Sequence, residues 1–128
     1  MAKIASGGEL SRIMLSLKSV IADKDGIPTV IYDEVDAGVS GKTARKIGLK
    51  LKDAGSRTQV LCVTHSAQIA SLAACHYVIE KEERDGRAET TVRPLAQAER
   101  IEELSRILGG LSVTDAQRRA ALDMLEGQ

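Results

Sequence analysis

Apolar and polar residues alternate along the chain in two patterns, one typical of strands and one of helices. Two short apolar runs, residues 29–32 and 58–64, are bounded by Pro, Gly or Ser. Such runs predict strands that are buried on both faces of a parallel sheet. An amphipathic helix beginning at Ser40 or Gly41 and reaching about Asp53 separates them, so a parallel pairing is expected. The predicted fold class is therefore α/β, a mainly parallel sheet flanked by helices.

The segment before the first strand predicts another amphipathic helix with a buried stripe, formed by Leu10, Ile13, Met14, Leu17, Val20 and Ile21. The helix begins close after Ser6-Gly7-Gly8-Glu9. The two glycines would let an anion approach the backbone N–H groups at the positive end of the helix. The same residues also fit an ordinary capping box with Ser6 as N-cap, and an isolated S-x-x-E favours that interpretation.

The remainder of the chain predicts a hairpin followed by helices. A third strand, residues 77–80, extends towards Glu83, turns at Asp85-Gly86 and returns over residues 89–94. Residues 97–108 predict a helix that ends at Gly109-Gly110, with Ala98, Ile101, Leu104, Ile107 and Leu108 on its inner side. Thr114 opens a capping box for a last helix, which ends at Gly127.

The first and second predicted strands are each followed by polar residues of the types that take part in catalysis. Asp33 and Glu34 come directly after the first strand, and His65 follows the second. Because parallel strands end at the same edge of a sheet, these side chains are expected on one rim. The acidic pair is typical of a Walker B motif, in which the first acid reaches Mg²⁺ through water and the second takes a proton from the attacking water. A solvated acidic turn is the alternative for the pair, and a loop without a role is the alternative for a lone His.

Gly41-Lys42-Thr43 imitates a phosphate-binding loop without satisfying its pattern. The loop requires G-x-x-x-x-G-K-[ST], but the residue five positions before Gly41 is Asp36. The lysines and arginine that follow, Lys42, Arg45, Lys46, Lys50 and Lys52, are interpreted as a solvated basic helix face rather than a DNA-binding one, since acidic residues elsewhere balance them.

Composition narrows the class of protein. The 128 residues hold 18 Lys and Arg against 18 Asp and Glu, with neither Trp nor Phe, so one domain with an aliphatic core is expected. No apolar run approaches the ~20 residues of a membrane span, and the N-terminus lacks the apolar segment of a signal peptide. Cys62, in an apolar run, and Cys75, in an alanine-rich helix, are interpreted as buried thiols in a reducing cytoplasm.

Three features in order, S-G-G-E before a helix, a strand ending in D-E and a strand ending in T-H, make the chain resemble the second half of an ATP-binding-cassette ATPase head. The resemblance is closer to the SMC-like heads, and closest to the RecN family of bacterial DNA repair ATPases. It covers nearly the whole chain, in the runs ASGGELSRIMLSLK, VIYDEVDAGVSGKTA, QVLCVTHSAQIA, HYVIEK and ELSRILGG. Residues 1–128 are therefore expected to form the C-terminal half of such a head, without its Walker A half.

The resemblance implies a role for each rim residue. Ser6, Gly7, Gly8 and Glu9 would be the signature motif, which contacts ATP held by a second head. Asp33 would be the Walker B acid at Mg²⁺, and Glu34 the catalytic base. Asp36 would lie in the loop that crosses the dimer interface (the D-loop), and His65 would be the switch histidine at the γ-phosphate.

The resemblance also implies cofactors and partners: ATP and Mg²⁺, the missing half of the head, a second head in a homodimer and, through the complete protein, DNA. It implies a cytoplasmic, nucleoid-associated bacterial ATPase in double-strand-break repair and recombination. Because the chain lacks the phosphate loop, negligible hydrolysis by the chain alone is expected. Two other classes stay open: a stand-alone Mg²⁺-dependent phosphotransferase or nuclease using Asp33, Glu34 and Asp36, and a non-catalytic interaction module.

Overall fold

The computed structural model describes Leu15, Ser16, Lys18 and residues 25–127, which form two compact units. The first unit reaches to Leu72 and the second begins at Ala73. Leu15, Ser16 and Lys18 are helical, as expected for the first predicted helix. The remaining residues of that helix, together with Ser6, Gly7, Gly8 and Glu9, lie outside the described residues.

A parallel pair of strands organises the first unit. Strand β1 (Thr29–Asp33) pairs with β2 (Gln59–Val63) from Thr29 opposite Gln59 to Asp33 opposite Val63. The Thr29 hydroxyl donates to Gln59 Oε1 at 2.9 Å, which closes the first rung of the ladder. The prediction of two parallel strands joined through a helix is confirmed, with bounds within one residue of those expected.

Helix α1 (Gly41–Ala54) makes that connection and covers the sheet. It begins after Ser40 and ends at Gly55, as the sequence predicts. Its apolar stripe, Ala44, Ile47 and Leu51, is buried together with Leu15, Tyr32, Val35 and Ile69. Ile69 comes from the short helix α2 (Ala67–Ala70), which begins after Ser66. The core of this unit is aliphatic apart from Tyr32.

The sheet is covered on one face only, so the expectation of strands buried on both faces is wrong for the described residues. Val30, Val60 and Cys62 pack against the core, as does the buried Tyr32. The opposite face exposes Ile31, Leu61 and Val63, which retain 59%, 46% and 41% of their accessible surface. Strands β1 and β2 carry apolar side chains on both faces of the sheet. The described helices pack against only one of these faces.

Helices α1 and α2 approach closely at Gly48, which is buried on the inner side of α1. A Cβ at this position would lie 2.7 Å from Leu72 Cδ1, 3.3 Å from Ile69 Cα and 3.4 Å from the Gln68 carbonyl oxygen. Glycine therefore sits inside this helix because backbone occupies the space that a side chain would need. The sequence analysis did not identify this contact.

The second unit is a hairpin followed by two helices. Strands β3 (Tyr77–Arg84) and β4 (Arg87–Pro94) pair antiparallel around Asp85 and Gly86. Both turn residues have positive φ, 51° and 73°, as a two-residue type I′ turn requires. The Asp-Gly hairpin prediction is confirmed, with longer strands than expected.

Helices α3 (Gln97–Gly109) and α4 (Asp115–Glu126) complete the second unit. Helix α3 ends at Gly110 and α4 at Gly127, as predicted. At the start of α4, Thr114 N–H donates to Gln117 Oε1 at 2.7 Å and Gln117 N–H donates to Thr114 Oγ1 at 3.4 Å. The predicted capping box is thus confirmed.

Two details of this unit differ from the sequence predictions. The buried residues of α3 are Arg100, Leu104 and Ser105, whereas Ala98 and Leu108 of the predicted inner side are exposed. Arg100 is buried because its Nη2 donates to the Ala73 carbonyl oxygen at 3.0 Å, which apolar periodicity does not reveal. Cys75 lies in a bend and is exposed, so the prediction of a helical, buried thiol is wrong.

Gly48→Ala is expected to destabilise the chain although alanine favours helices. Alanine gains about 1 kcal/mol in helix propensity, but overpacking costs about 1–3 kcal/mol. The cost is expected to be larger because Ile69 Cα is a backbone atom and cannot move away by rotating a side chain. Urea unfolding measures the difference. Gly41→Ala is the matched control on the same helix, since its Cβ would meet only Gln68 Cγ at 3.8 Å. Equal stability of the two variants would contradict the proposed close approach.

Candidate functional site

The carboxyl ends of β1 and β2 bring four of the predicted site residues to one edge of the sheet. Asp33 is the last residue of β1 and pairs with Val63, the last residue of β2. Glu34 follows Asp33 directly, and His65 lies two residues beyond Val63. Asp33, Glu34 and His65 are all exposed. The edge is therefore an open rim with two carboxylates and an imidazole at the ends of adjacent parallel strands.

Glu34 marks the point at which the chain leaves the sheet. Its N–H still donates to the Val63 carbonyl oxygen at 3.2 Å, but its φ is 54°, in the left-handed region. A residue with a Cβ pays about 1–2 kcal/mol for this conformation. Backbone strain of this kind is concentrated at functional sites, where surrounding contacts hold it in place. The acidic pair is thus built into a strained turn at a strand end.

A hydrogen bond from Thr64 holds the loop that follows strand β1. The Thr64 hydroxyl donates to Asp36 Oδ2 at 2.7 Å and accepts from the Ser66 N–H at 2.9 Å. One hydroxyl therefore ties the loop after β1 to the start of α2. Val35, between the two acidic positions, is buried in the core. The loop is fixed on its inner side by Val35 and on its rim side by Thr64.

Asp36 thus has a structural partner that the sequence analysis did not assign. The T-H pair at the end of the second strand drew attention to His65, while Thr64 received no role. The available signal was a hydroxyl residue at the carboxyl end of a buried strand, next to an acidic loop. A half-buried carboxylate needs a donor, and Thr64 supplies it.

The negative charges of the rim affect the pKa of the Cys62 thiol, which lies in the first unit. Burial, followed by the negative charges of Asp36 and then Asp33, raises the pKa of Cys62 to about 11. The thiol therefore stays protonated at neutral pH. The thiol is half-buried and packed against the core, rather than fully buried as predicted.

The donor set fits a magnesium ion that keeps most of its water. Among residues 25–127 and the three described before them, no three His, Cys, Asp or Glu side chains converge as a metal-binding cluster. Mg²⁺ commonly binds through one or two carboxylates together with substrate phosphates and several waters. The exposed carboxylates of Asp33 and Glu34 are consistent with that mode.

The fold matches part of an SMC-type ATPase head, as the sequence features predict. Superposition on an SMC ATPase, studied for ATP-driven dimerization and DNA-stimulated activation, gives a TM-score of 0.64 at 20% identity, over 84% of this chain and 65% of that one. The SMC head domain from Thermotoga maritima gives 0.59 at 22% identity, over 73% of this chain and 34% of the other. No family model matches the chain.

By sequence the chain is similar to bacterial DNA repair proteins named RecN, and the predicted resemblance is confirmed. It is 44% identical over 126 residues to RecN of Bacillus subtilis and 47% identical over 126 residues to RecN of Haemophilus influenzae. These matches cover 98% of the chain. The chain spans 22% and 23% of the length of these two relatives.

None of the described helices is long and apolar enough to cross a membrane.

Thiol labelling is expected to separate the two cysteines. At pH 7.5 the exposed Cys75 should react quickly, while Cys62 should react slowly because its raised pKa leaves little thiolate. In a Cys75→Ser background, the rate at Cys62 should keep rising as the pH approaches about 11. Stopped-flow or mass-spectrometric labelling measures both rates.

Asp36→Asn tests the electrostatic part of this account. Removing a negative charge should lower the pKa of Cys62 and speed its labelling by less than about tenfold, because burial, the larger cause, remains. The asparagine oxygen still accepts from Thr64, so the loop should keep its position. Asp53→Asn, on helix α1, is the control. An equal acceleration by both variants would show that the rim charges do not act on Cys62.

Proposed function

We propose that the chain is part of a RecN-like ATPase that acts in DNA double-strand-break repair and recombination. The observation that carries the proposal is the rim at the ends of β1 and β2, where Asp33 and Glu34 lie beside the segment that bears His65. The fold of SMC heads and the identity to RecN over nearly the whole chain support it. The chain is too short a part of its relatives to account for the complete activity.

In this proposal each rim residue has a distinct role. Asp33 would hold Mg²⁺, and the ion would supply charge compensation for the nucleotide phosphates when bound. Glu34 accepts a proton from the attacking water and orients it. His65 donates to the terminal phosphate. Asp36, held by Thr64, fixes the loop that meets a second head.

The second half of the site comes from elsewhere in this proposal. The chain contains no G-x-x-x-x-G-K-[ST] sequence, so the phosphate loop that holds ATP belongs to the rest of the complete protein. Ser6, Gly7, Gly8 and Glu9 act in trans and contact ATP bound to the partner head. ATP is thereby shared at a head–head interface of a homodimer.

Glu34→Gln in a complete protein carrying this segment is expected to lower steady-state ATP hydrolysis by about 10²–10⁴-fold while leaving ATP binding intact. The amide keeps the size of the side chain but cannot accept the proton. ATP-bound dimers should therefore accumulate, as measured by size-exclusion chromatography with light scattering. Glu126→Gln, at an exposed carboxylate on α4, is the matched control. Unchanged turnover in Glu34→Gln would exclude Glu34 as the base.

Ser6→Arg is expected to abolish ATP-dependent dimerisation and to spare ATP binding by a single head. A bulky side chain at the start of the helix would fill the space of the anion. Nucleotide binding and sedimentation, measured on the same complete protein, distinguish the two effects. Loss of nucleotide affinity by the single head would be incompatible with a role in trans.

A further inference from the structure

The charges of the chain are segregated although they sum to zero. Residues 1–72 carry 10 Lys and Arg against 7 Asp and Glu, and residues 73–128 carry 8 against 11. Helix α1 alone holds five basic residues and one acidic residue. The zero net charge of the chain led to the expectation of a solvated helix face. The helix itself is nevertheless strongly basic.

Three exposed lysines, Lys42, Lys46 and Lys50, form what we call the lysine face of α1. Lys42, Lys46 and Lys50 follow at intervals of four residues, so they form a row about 12 Å long on one side of the helix. The opposite side of the helix carries Ala44, Ile47 and Leu51 and is buried in the core. The row therefore projects outward from a rigid, packed support.

These lysines take no part in ion pairs among the described residues. The acid on the same helix, Asp53, is paired with Arg57 at 3.3 Å. By contrast, arginines of the second unit are bound to neighbouring glutamates, with Arg106 Nη2 2.6 Å from Glu103 Oε1 and Arg118 Nε 2.9 Å from Glu102 Oε1. The positive charge of these lysines is thus not paired with an acid among the described residues, and it is available to a polyanion.

We propose that the lysine face contacts the phosphate backbone of duplex DNA. A duplex presents one negative charge per about 1.7 Å of its axis, and lysines that neutralise phosphates release condensed counterions. A straight row of lysines fits this continuous charge better than a single small anion. The contact positions the protein without reading base sequence.

An anionic membrane is the other polyanionic surface, and the packing of α1 argues against it. A helix that lies in a membrane interface buries its apolar face among the lipids. In α1 that face is occupied by the core around Tyr32 and Ile47. Outside the core, α1 exposes one large apolar side chain, Leu49 at 47%, so the lysine face offers charge with little apolar surface to insert.

Fluorescence anisotropy of the chain with labelled duplex DNA, in the absence of nucleotide, tests the proposal. The triple variant Lys42→Gln, Lys46→Gln, Lys50→Gln keeps good helix formers and should remain folded by circular dichroism. It should bind about tenfold or more weakly at moderate salt, and the slope of log K against log salt should become shallower by about 2 to 3.

The matched control neutralises three exposed basic residues of the second unit that make no ion pair among the described residues, by Lys81→Gln, Arg87→Gln and Arg119→Gln. It should leave affinity and salt slope close to those of the unmodified chain. An equal loss in both triple variants, or no loss in the α1 variant, would overturn the proposal. Loss of binding to phosphatidylserine vesicles by the α1 variant, with duplex binding unchanged, would overturn it in favour of a membrane.

The inference goes beyond the proposed ATPase role and does not depend on it. The lysine face lies on α1 and duplex binding is measured without ATP, whereas the catalytic rim is tested by the ATP turnover of Glu34→Gln. A failure at the lysine face and a failure at the catalytic rim therefore give different results.

Discussion

The parallel register of β1 and β2 is the constraint on which the candidate site depends. Asp33 lies opposite Val63, so both strands end at the same level. A shift of one residue would turn every side chain of a strand to the other face, exposing Tyr32 and burying Asp33. The aliphatic core beneath α1 thus fixes the height and direction of the rim carboxylate, although the carboxylate itself makes no part of that core.

The loop after β1 shows how an exposed site is held without being buried. Val35 is inserted into the core, and Asp36 accepts a hydrogen bond from Thr64. Glu34 and Asp33 remain open to solvent on the same stretch. Two exposed residues are followed directly by two anchored ones along this stretch, so the rim is held in place by its neighbours and stays open to solvent.

The sequence predicted most of the elements because their signals are local. The Asp85-Gly86 turn, the Thr114 capping box and the glycines that end the helices each depend on a few neighbouring residues. The positions of Asp33, Glu34 and His65 followed from strand ends in a parallel pair. The roles of these residues, and that of Ser6, remain predictions.

What the sequence did not predict depends on contacts between segments that are distant along the chain. The burial of Arg100 is supported by a hydrogen bond from its guanidinium to the Ala73 carbonyl oxygen, 27 residues away along the chain. Gly48 is required because Ile69 and Leu72 lie against it. The uncovered face of the β1–β2 sheet was not predicted, because an apolar run shows that its residues can be buried. It does not show which elements of the chain will pack against them.

The left-handed backbone at Glu34 has a consequence for how this position tolerates change. Glycine and asparagine adopt that conformation at lower cost than glutamate. A library of residue-34 variants sorted for resistance to unfolding should therefore enrich glycine and asparagine. The same library sorted for nucleotide turnover in a complete protein should return glutamate. Fitness for folding and fitness for chemistry would then rank the amino acids in opposite orders at a single position.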